Sequence, residues 1–401
     1  MLIKKLDYIT EFFIYVLALG ITIANAPTEV ASYWIIFIFL IKTVISRDIK
    51  FLKSPIGILL CVLFAVSFLS FLRSDYFKDS LRGFSRIPKY IFLYFALTDF
   101  FLRDNKRMVR FFWVLIATSA LTFFNGLFQS VFGFDIFKHN TISDGLSRMY
   151  SSFIHPNDFG AYIITVLPLT FLFLKKGIPS KLRTILIAVF LTGFYCLIRT
   201  SSRGAWIGFI MAMIFFFSLY RKKILALIPI VAVIIVLLSP QGIHRVEGLL
   251  KPKVESVGER MLLLKGTWQM IKAHPVFGSG INTFMKNFEK YRPPNCPLGF
   301  YAHNSYLQMW AETGIIGLII FLAIPLIIIV RAISNLKAKI GTSPYGMILL
   351  AALCGYIAFL IHTTFDNNLY SLVLTTLFWV FGAYVFSLDN YLRGLNRRSA
   401  E

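Results

Sequence analysis

Residues 303–321 read HNSYLQMWAETGIIGLIIF, a polar start that runs without a break into an apolar helical pattern. The apolar part continues to about residue 330, enough for the roughly 20 helical residues that cross a bilayer core. Each helical residue turns about 100°, so Gly314 and Gly317 are expected back within roughly 20° and 40° of the His303 direction. Side-chain-free positions on one face let another helix press close. His303 is then held at the rim, within reach of water and substrates. Histidine is the side chain best suited to move a proton near neutral pH. An interfacial histidine that only hydrogen-bonds a loop would read the same way, and the residues alone leave both readings open.

The rest of the chain repeats the apolar theme. Hydrophobic residues make up 57% of the 401, and the mean hydropathy is +0.71. Twelve apolar runs stand out, at about 10–26, 31–46, 55–72, 90–102, 111–132, 156–174, 184–199, 204–220, 224–239, 308–330, 345–362 and 371–387, the fourth being short. They are continuous rather than alternating, which excludes a β-barrel and leaves helices as the spanning form. The expected fold is an all-α integral membrane protein of about twelve transmembrane helices. The chain divides into helices 1–9 (1–239), a large outer loop (240–302) and helices 10–12 with a tail (303–401). Ala24-Asn25-Ala26 resembles a signal-peptidase site, but the many following spans favour an uncleaved first helix.

Formal charge is +22, which suggests nucleic acid only until the charges are placed. With a cytoplasmic N-terminus, the short inner segments hold 23 of the 41 Lys and Arg, as the positive-inside rule requires. Clusters such as Arg221-Lys222-Lys223 therefore read as topology signals, and no nucleic-acid partner is expected. The remaining 18 lie outside, five in 73–89 and nine in 240–302. Outer positive charge runs against the topological bias and fits an anionic substrate, although long loops also translocate regardless of charge.

Ionisable residues avoid the span centres: Asp158, Arg203, Glu312 and Asp366 fall at or near outer ends. A coupled transporter places such groups near the midplane, so chemistry at the outer surface is favoured. Ser201-Ser202-Arg203-Gly204 opens the eighth span at a helix N-terminus, where serine can cap and arginine can grip phosphate. His155-Pro156-Asn157-Asp158 opens the sixth and reads as a structural cap. In the outer loop, GERMLLLKGTWQMIKAHPVFGSG carries Met261, Leu264, Trp268 and Ile271 at helical spacing, an amphipathic helix expected to lie on the membrane face. Arg260, at its start, could point into a site or snorkel to the headgroups. No phosphate loop, zinc motif, nucleophile elbow or outer cluster of carboxylates is present, so no metal and no cofactor are expected. Cys61, Cys196 and Cys354 sit in spans and Cys296 is alone in the loop, which gives no disulfide spacing.

Three stretches together resemble the O-antigen ligase family, which shares a superfamily with O-antigen polymerases. They are His303-Asn304 with Gly314 and Gly317, Ser202-Arg203-Gly204, and Arg260 with Trp268, Pro275, Gly278 and Gly280. The layout of spans and the large outer loop match as well. The resemblance implies a metal-independent, inverting membrane glycosyltransferase of the GT-C type, with its site facing the periplasm at the bacterial inner membrane. Its donor would be a glycan on undecaprenyl pyrophosphate, and its acceptor a sugar hydroxyl of lipid A–core. Arg203 and Arg260 would hold the pyrophosphate and His303 would take or orient the acceptor proton. Asn304 and Asp366, in the turn HTTFDNN, would support them. A polymerase using the same donor and a lipid-glycan flippase are the competing readings.

Overall fold

The computed structural model describes residues 2–139, 141, 148–238, 254–296, 301–336, 340 and 343–398. The start of the expected outer loop, 240–253, and its boundary at 239/240 lie outside them. The elements in order are α1 (Leu2–Ile23), α2 (Asn25–Ser46), α3 (Pro55–Leu72), α4 (Phe77–Phe84), α5 (Ile87–Arg103), α6 (Asn105–Phe132), α7 (Pro156–Val166) and α8 (Ser180–Arg199). There follow α9 (Arg203–Tyr220), α10 (Ile228–Leu238), α11 (Val254–Ala273), α12 (Phe284–Tyr291), α13 (Ser305–Leu336), α14 (Pro344–His362) and α15 (Leu372–Arg398). No strand occurs among the described residues.

The chain is an all-α membrane protein. Ten helices, taking α7 with its 3-10 continuation to Leu174, are long and apolar enough to cross a bilayer among the described residues. The expectation was twelve. Outside that set fall the short fourth run, which forms the 17 residues of α5, and the ninth, which forms a 3-10 turn (Lys222–Leu227) followed by the 11 residues of α10. Local chemistry sets the ends. Proline occupies the first turn of α3, α7 and α14, where its missing N–H costs nothing. The side chains of Ser54, Asp104 and Ser343 cap α3, α6 and α14. α15 is the most enclosed spanning helix and packs against α5, α13 and α14, while α14 packs against α9 and α7.

α13 departs from the regular helix expected through 303–330. Gly314 has φ +74 and ψ 177, so the helix is broken and re-entered there. The backbone of the loop after α11 is threaded into the break. Ser279 N–H donates to Ala311 O (2.9 Å), Gly280 N–H to Glu312 O (3.0 Å), and Ile315 N–H to Pro275 O (2.9 Å). Irregular backbone at such a depth persists only where protein satisfies it. A Cβ on Gly314 would sit 1.9 Å from Val276 O, and one on Gly278 would sit 2.2 Å from Glu312 O. The Pro275-x-x-Gly-x-Gly and Gly314 signals are thus two halves of one contact. The neighbour that Gly314 admits is a loop, not a helix, and Gly317 lies against the side chain of Thr313 in its own helix. Because the break interrupts the 100° progression, neither glycine shares a continuous face with His303.

The amphipathic helix exists as α11, but rotated from the expected stripe. Leu263, Thr267, Met270 and Ile271 are buried, and Leu263, Met270 and Ile271 form a small core with Phe284, Phe288 and Ala311. Met261 and Trp268 are exposed. The loop carries its own partner, α12, and the face turned to it is the buried one.

The end of the bundle opposite His303 holds a buried ionic cluster. Lys42 Nζ lies 2.7 Å from Asp7 and 2.8 Å from Asp99, Arg107 lies 3.0 Å from Asp7, and Arg103 lies 2.9 Å from Asp99. These charges tie α1, α2, α5 and α6 together.

Candidate active site

The helix starts and one turn converge. The turn 363–371 joins α14 to α15 and meets the N-terminus of α13, where Ser305 N–H donates to Thr363 O (3.1 Å) and Ser305 Oγ to Asp366 O (2.9 Å). Asn304 caps that helix, its Oδ1 accepting from the N–H groups of Tyr306 and Leu307 at 3.0 Å each. Its place is therefore structural in form: it fixes the end of α13 directly below His303. His303 has φ +49, a backbone conformation unusual for a residue with a side chain. Its Nδ1 faces Asp366 Oδ1 at 3.4 Å, and about a third of its side chain remains exposed. With Nδ1 turned to a carboxylate, the ring presents Nε2 outward.

Asp366 is held from several sides. Its Oδ2 accepts from Asn157 Nδ2 (2.6 Å), and Asn157 Oδ1 accepts from Arg148 (2.9 Å). Burial pushes the Asp366 carboxyl up, but the His303 hydrogen bond, the His362 ring and the Asn367 N–H outweigh it and hold it down at about 2. Asp366 is therefore ionised at neutral pH.

Beside this pair opens a cavity of about 300 Å³ whose wall includes Asp366, His362, Asn157, Arg148, Arg203 and Arg260. Arg203 stands at the first position of α9 and Arg260 on the exposed side of α11, and neither has a hydrogen-bond or ion-pair partner among the described residues. Ser202 sits at the N-cap of α9 but does not cap it. Its hydroxyl lies 3.4 Å from His362 Nε2 instead. Gly204 allows the close crossing with the end of α14, since a Cβ there would meet Phe365 at 2.9 Å. Ile207, one turn further along α9, is part of the cavity wall and faces outward.

The structure thus brings Arg203, Arg260 and Asp366 to one cavity and joins His303 to it through Asp366. Gly314 and Gly317 lie deeper and line no part of it. Three wall residues were not singled out for chemistry by the sequence. Asn157 read as part of a cap, Arg148 as one outer charge among many, and His362 as the end of an apolar span. The signal available for His362 and Asp366 was the polar run HTTFDNN between two apolar helices. Among the described residues no group of three or more His, Cys, Asp or Glu gathers as a metal site would.

The cavity has two guanidinium groups with no counter-ion among the described residues, a helix N-terminus, and an ionised carboxylate that faces the imidazole of His303 beside it. That set suits an anion with adjacent proton transfer. No curated protein matches the sequence. Residues 188–322, which contain Arg203, Arg260, His303, Gly314 and Gly317, match the family model described as O-antigen ligase.

Proposed function

We propose that the protein transfers a glycan from undecaprenyl pyrophosphate to a sugar hydroxyl of lipid A–core, with inversion and without a metal, at a site facing the periplasm. The observation that carries this reading is one cavity that holds Arg203 and Arg260, without a counter-ion among the described residues, together with Asp366, whose other side faces His303. In the reaction the acceptor oxygen bonds to the anomeric carbon as the bond from that carbon to the pyrophosphate oxygen breaks. The leaving group departs with the electron pair, and Arg203, Arg260 and the start of α9 stabilise its growing charge. The hydroxyl proton passes to His303 Nε2. Asp366 holds the other ring nitrogen and stabilises the imidazolium that forms. The carrier's hydrocarbon tail continues past Ile207 into the membrane. A single displacement, with the acceptor attacking the face of the anomeric carbon opposite the leaving group, gives inversion.

The test is a purified transfer assay with a carrier-linked glycan and lipid A–core. Glycan appearing on lipid A–core, undiminished by EDTA, is the expected result. Longer glycan still on the carrier would make the protein a polymerase. Carrier crossing a vesicle membrane with no new glycosidic bond would make it a flippase. Loss of transfer in EDTA, restored by Mg²⁺, would remove the metal-independent step. Orientation is tested separately: Met285→Cys, on exposed α12, should react with an impermeant maleimide in cells whose inner membrane is intact.

A further inference from the structure

Glu312 is 1% exposed, on a membrane-spanning helix, and has no cation partner among the described residues. A carboxylate in such a place is costly unless its oxygens are filled. Four donors fill them. They are the N–H groups of Asn282 (2.9 Å) and Phe284 (3.1 Å), Tyr370 Oη (3.1 Å) and Gln308 Nε2 (3.4 Å). Its backbone carbonyl, left without a helical partner by the break at Gly314, accepts from Gly280 N–H and from Ser70 Oγ (2.7 Å). One residue therefore grips three segments: the loop before α12, the turn 363–371, and α3.

Gln308, one helical turn above, carries the grip to the active-site pair. Its Oε1 accepts from the side chain of Asn367 and from Ala302 N–H. Ala302 directly precedes His303, and Asn367 directly follows Asp366. Both members of the pair are thus anchored at a flanking residue by the same amide, and that amide is oriented by Glu312. The left-handed backbone of His303 needs such anchoring, because an unfavourable conformation persists only where its surroundings over-determine it.

We propose that Glu312 is a positioning residue for the transfer reaction: through Gln308 and Tyr370 it fixes the relative placement of His303 and Asp366, and it couples that placement to the loop threaded under α12. The inference rests on the transferase reading above. A residue that only capped α12 would need neither Gln308 nor Tyr370.

The experiment measures kcat, donor KM and the pH–rate profile for Glu312→Gln, Gln308→Leu, the double variant and Tyr370→Phe, with detergent-phase thermal stability alongside. Hydrogen bonds to a charged group set the scale, so Glu312→Gln and Gln308→Leu should each lower kcat roughly ten- to a hundredfold. Donor KM should stay within about twofold, because the cavity arginines are untouched. The double variant should be no slower than the worse single one, since both act through one chain of contacts. A fall in kcat at unchanged donor KM is what misplacement of His303 and Asp366 predicts and lost stability alone does not. Tyr370→Phe removes one hydroxyl and serves where Glu312→Gln fails to fold; it should lower kcat about threefold at unchanged donor KM. Wild-type kcat with lowered thermal stability, or losses that multiply in the double variant, would reduce Glu312 to a helix cap. His303→Ala is the control. If it transfers at the wild-type rate the transferase reading fails, whereas a dead His303→Ala beside a fully active Glu312→Gln and Tyr370→Phe overturns only the role of Glu312.

Discussion

Lys42 and Arg107 at one end of the bundle each meet a carboxylate, while Arg203 and Arg260 at the other end meet none among the described residues. Both ends draw on the same basic composition. At the first, Asp7 and Asp99 consume the charge, and the result is a strut between four helices. At the second, the charge is left facing a cavity, and the carboxylate in its wall, Asp366, is turned to His303 and Asn157. Positive residues that a fold neutralises internally hold structure together. Positive residues that it positions and leaves unneutralised are available to a ligand. That contrast can be tested at four points.

The largest effect is expected at the imidazole. His303→Ala should slow transfer roughly 100- to 10,000-fold, the usual span for a general base, with donor binding much less affected. A variant with wild-type turnover would leave the cavity without a proton acceptor. His303→Gln separates base from mere orientation, since retained activity with a flattened acid limb means orientation alone.

Next come the free arginines. Arg203→Ala and Arg260→Ala should each cost about 100- to 1000-fold in rate, the scale of removing one donor to a developing oxyanion. The protein should still reach the membrane. Lysine should restore only part of the rate, because it lacks the planar fork. Near-normal turnover in both alanine variants would return these residues to headgroup anchors and erase the contrast.

Asp366→Asn gives a smaller effect. An amide in its place cannot stabilise the imidazolium that forms as the proton is taken, so kcat should fall roughly tenfold with donor KM within about twofold. Asp366 stays ionised down to about 2 in the folded protein, so at neutral pH the variant differs from the wild type by a full charge. An unchanged kcat would separate Asp366 from the histidine.

At the paired end no change in rate per folded molecule is expected. Lys42→Met leaves Asp7 and Asp99 short of their buried partner, and breaking such a pair costs about 3–5 kcal/mol. Reduced yield and thermal stability with unchanged kcat would confirm the division. A slowed reaction in well-folded Lys42→Met would show that the two ends are coupled after all.

Much was legible before any coordinates. Apolar runs of spanning length dictate helices, because only internal hydrogen bonding satisfies the backbone in hydrocarbon. Where a run was short, as in α5, length no longer separated a span from a shorter buried helix. His303, Arg203, Arg260 and Asp366 were visible because charged and polar residues at the margins of apolar helices are few. Their neighbours were not: Asn157, His362 and Gln308 are ordinary polar residues, and only contact with Asp366, Ser202 or Asn367 marks them.

The sequence by itself determined the class of protein, the helices and the residues able to do chemistry, since hydropathy and residue type are local properties. Tertiary structure decided which of those residues face one another. It decided which face of α11 is covered, because that depends on where the fold sets α12 and α13 against it. It decided that Gly314 breaks α13, because a loop residue some forty positions earlier occupies the space a side chain would need. And it decided which arginines stay unpaired among the described residues, because whether a charge is neutralised depends on what the fold places within a few ångströms of it, at any distance along the chain.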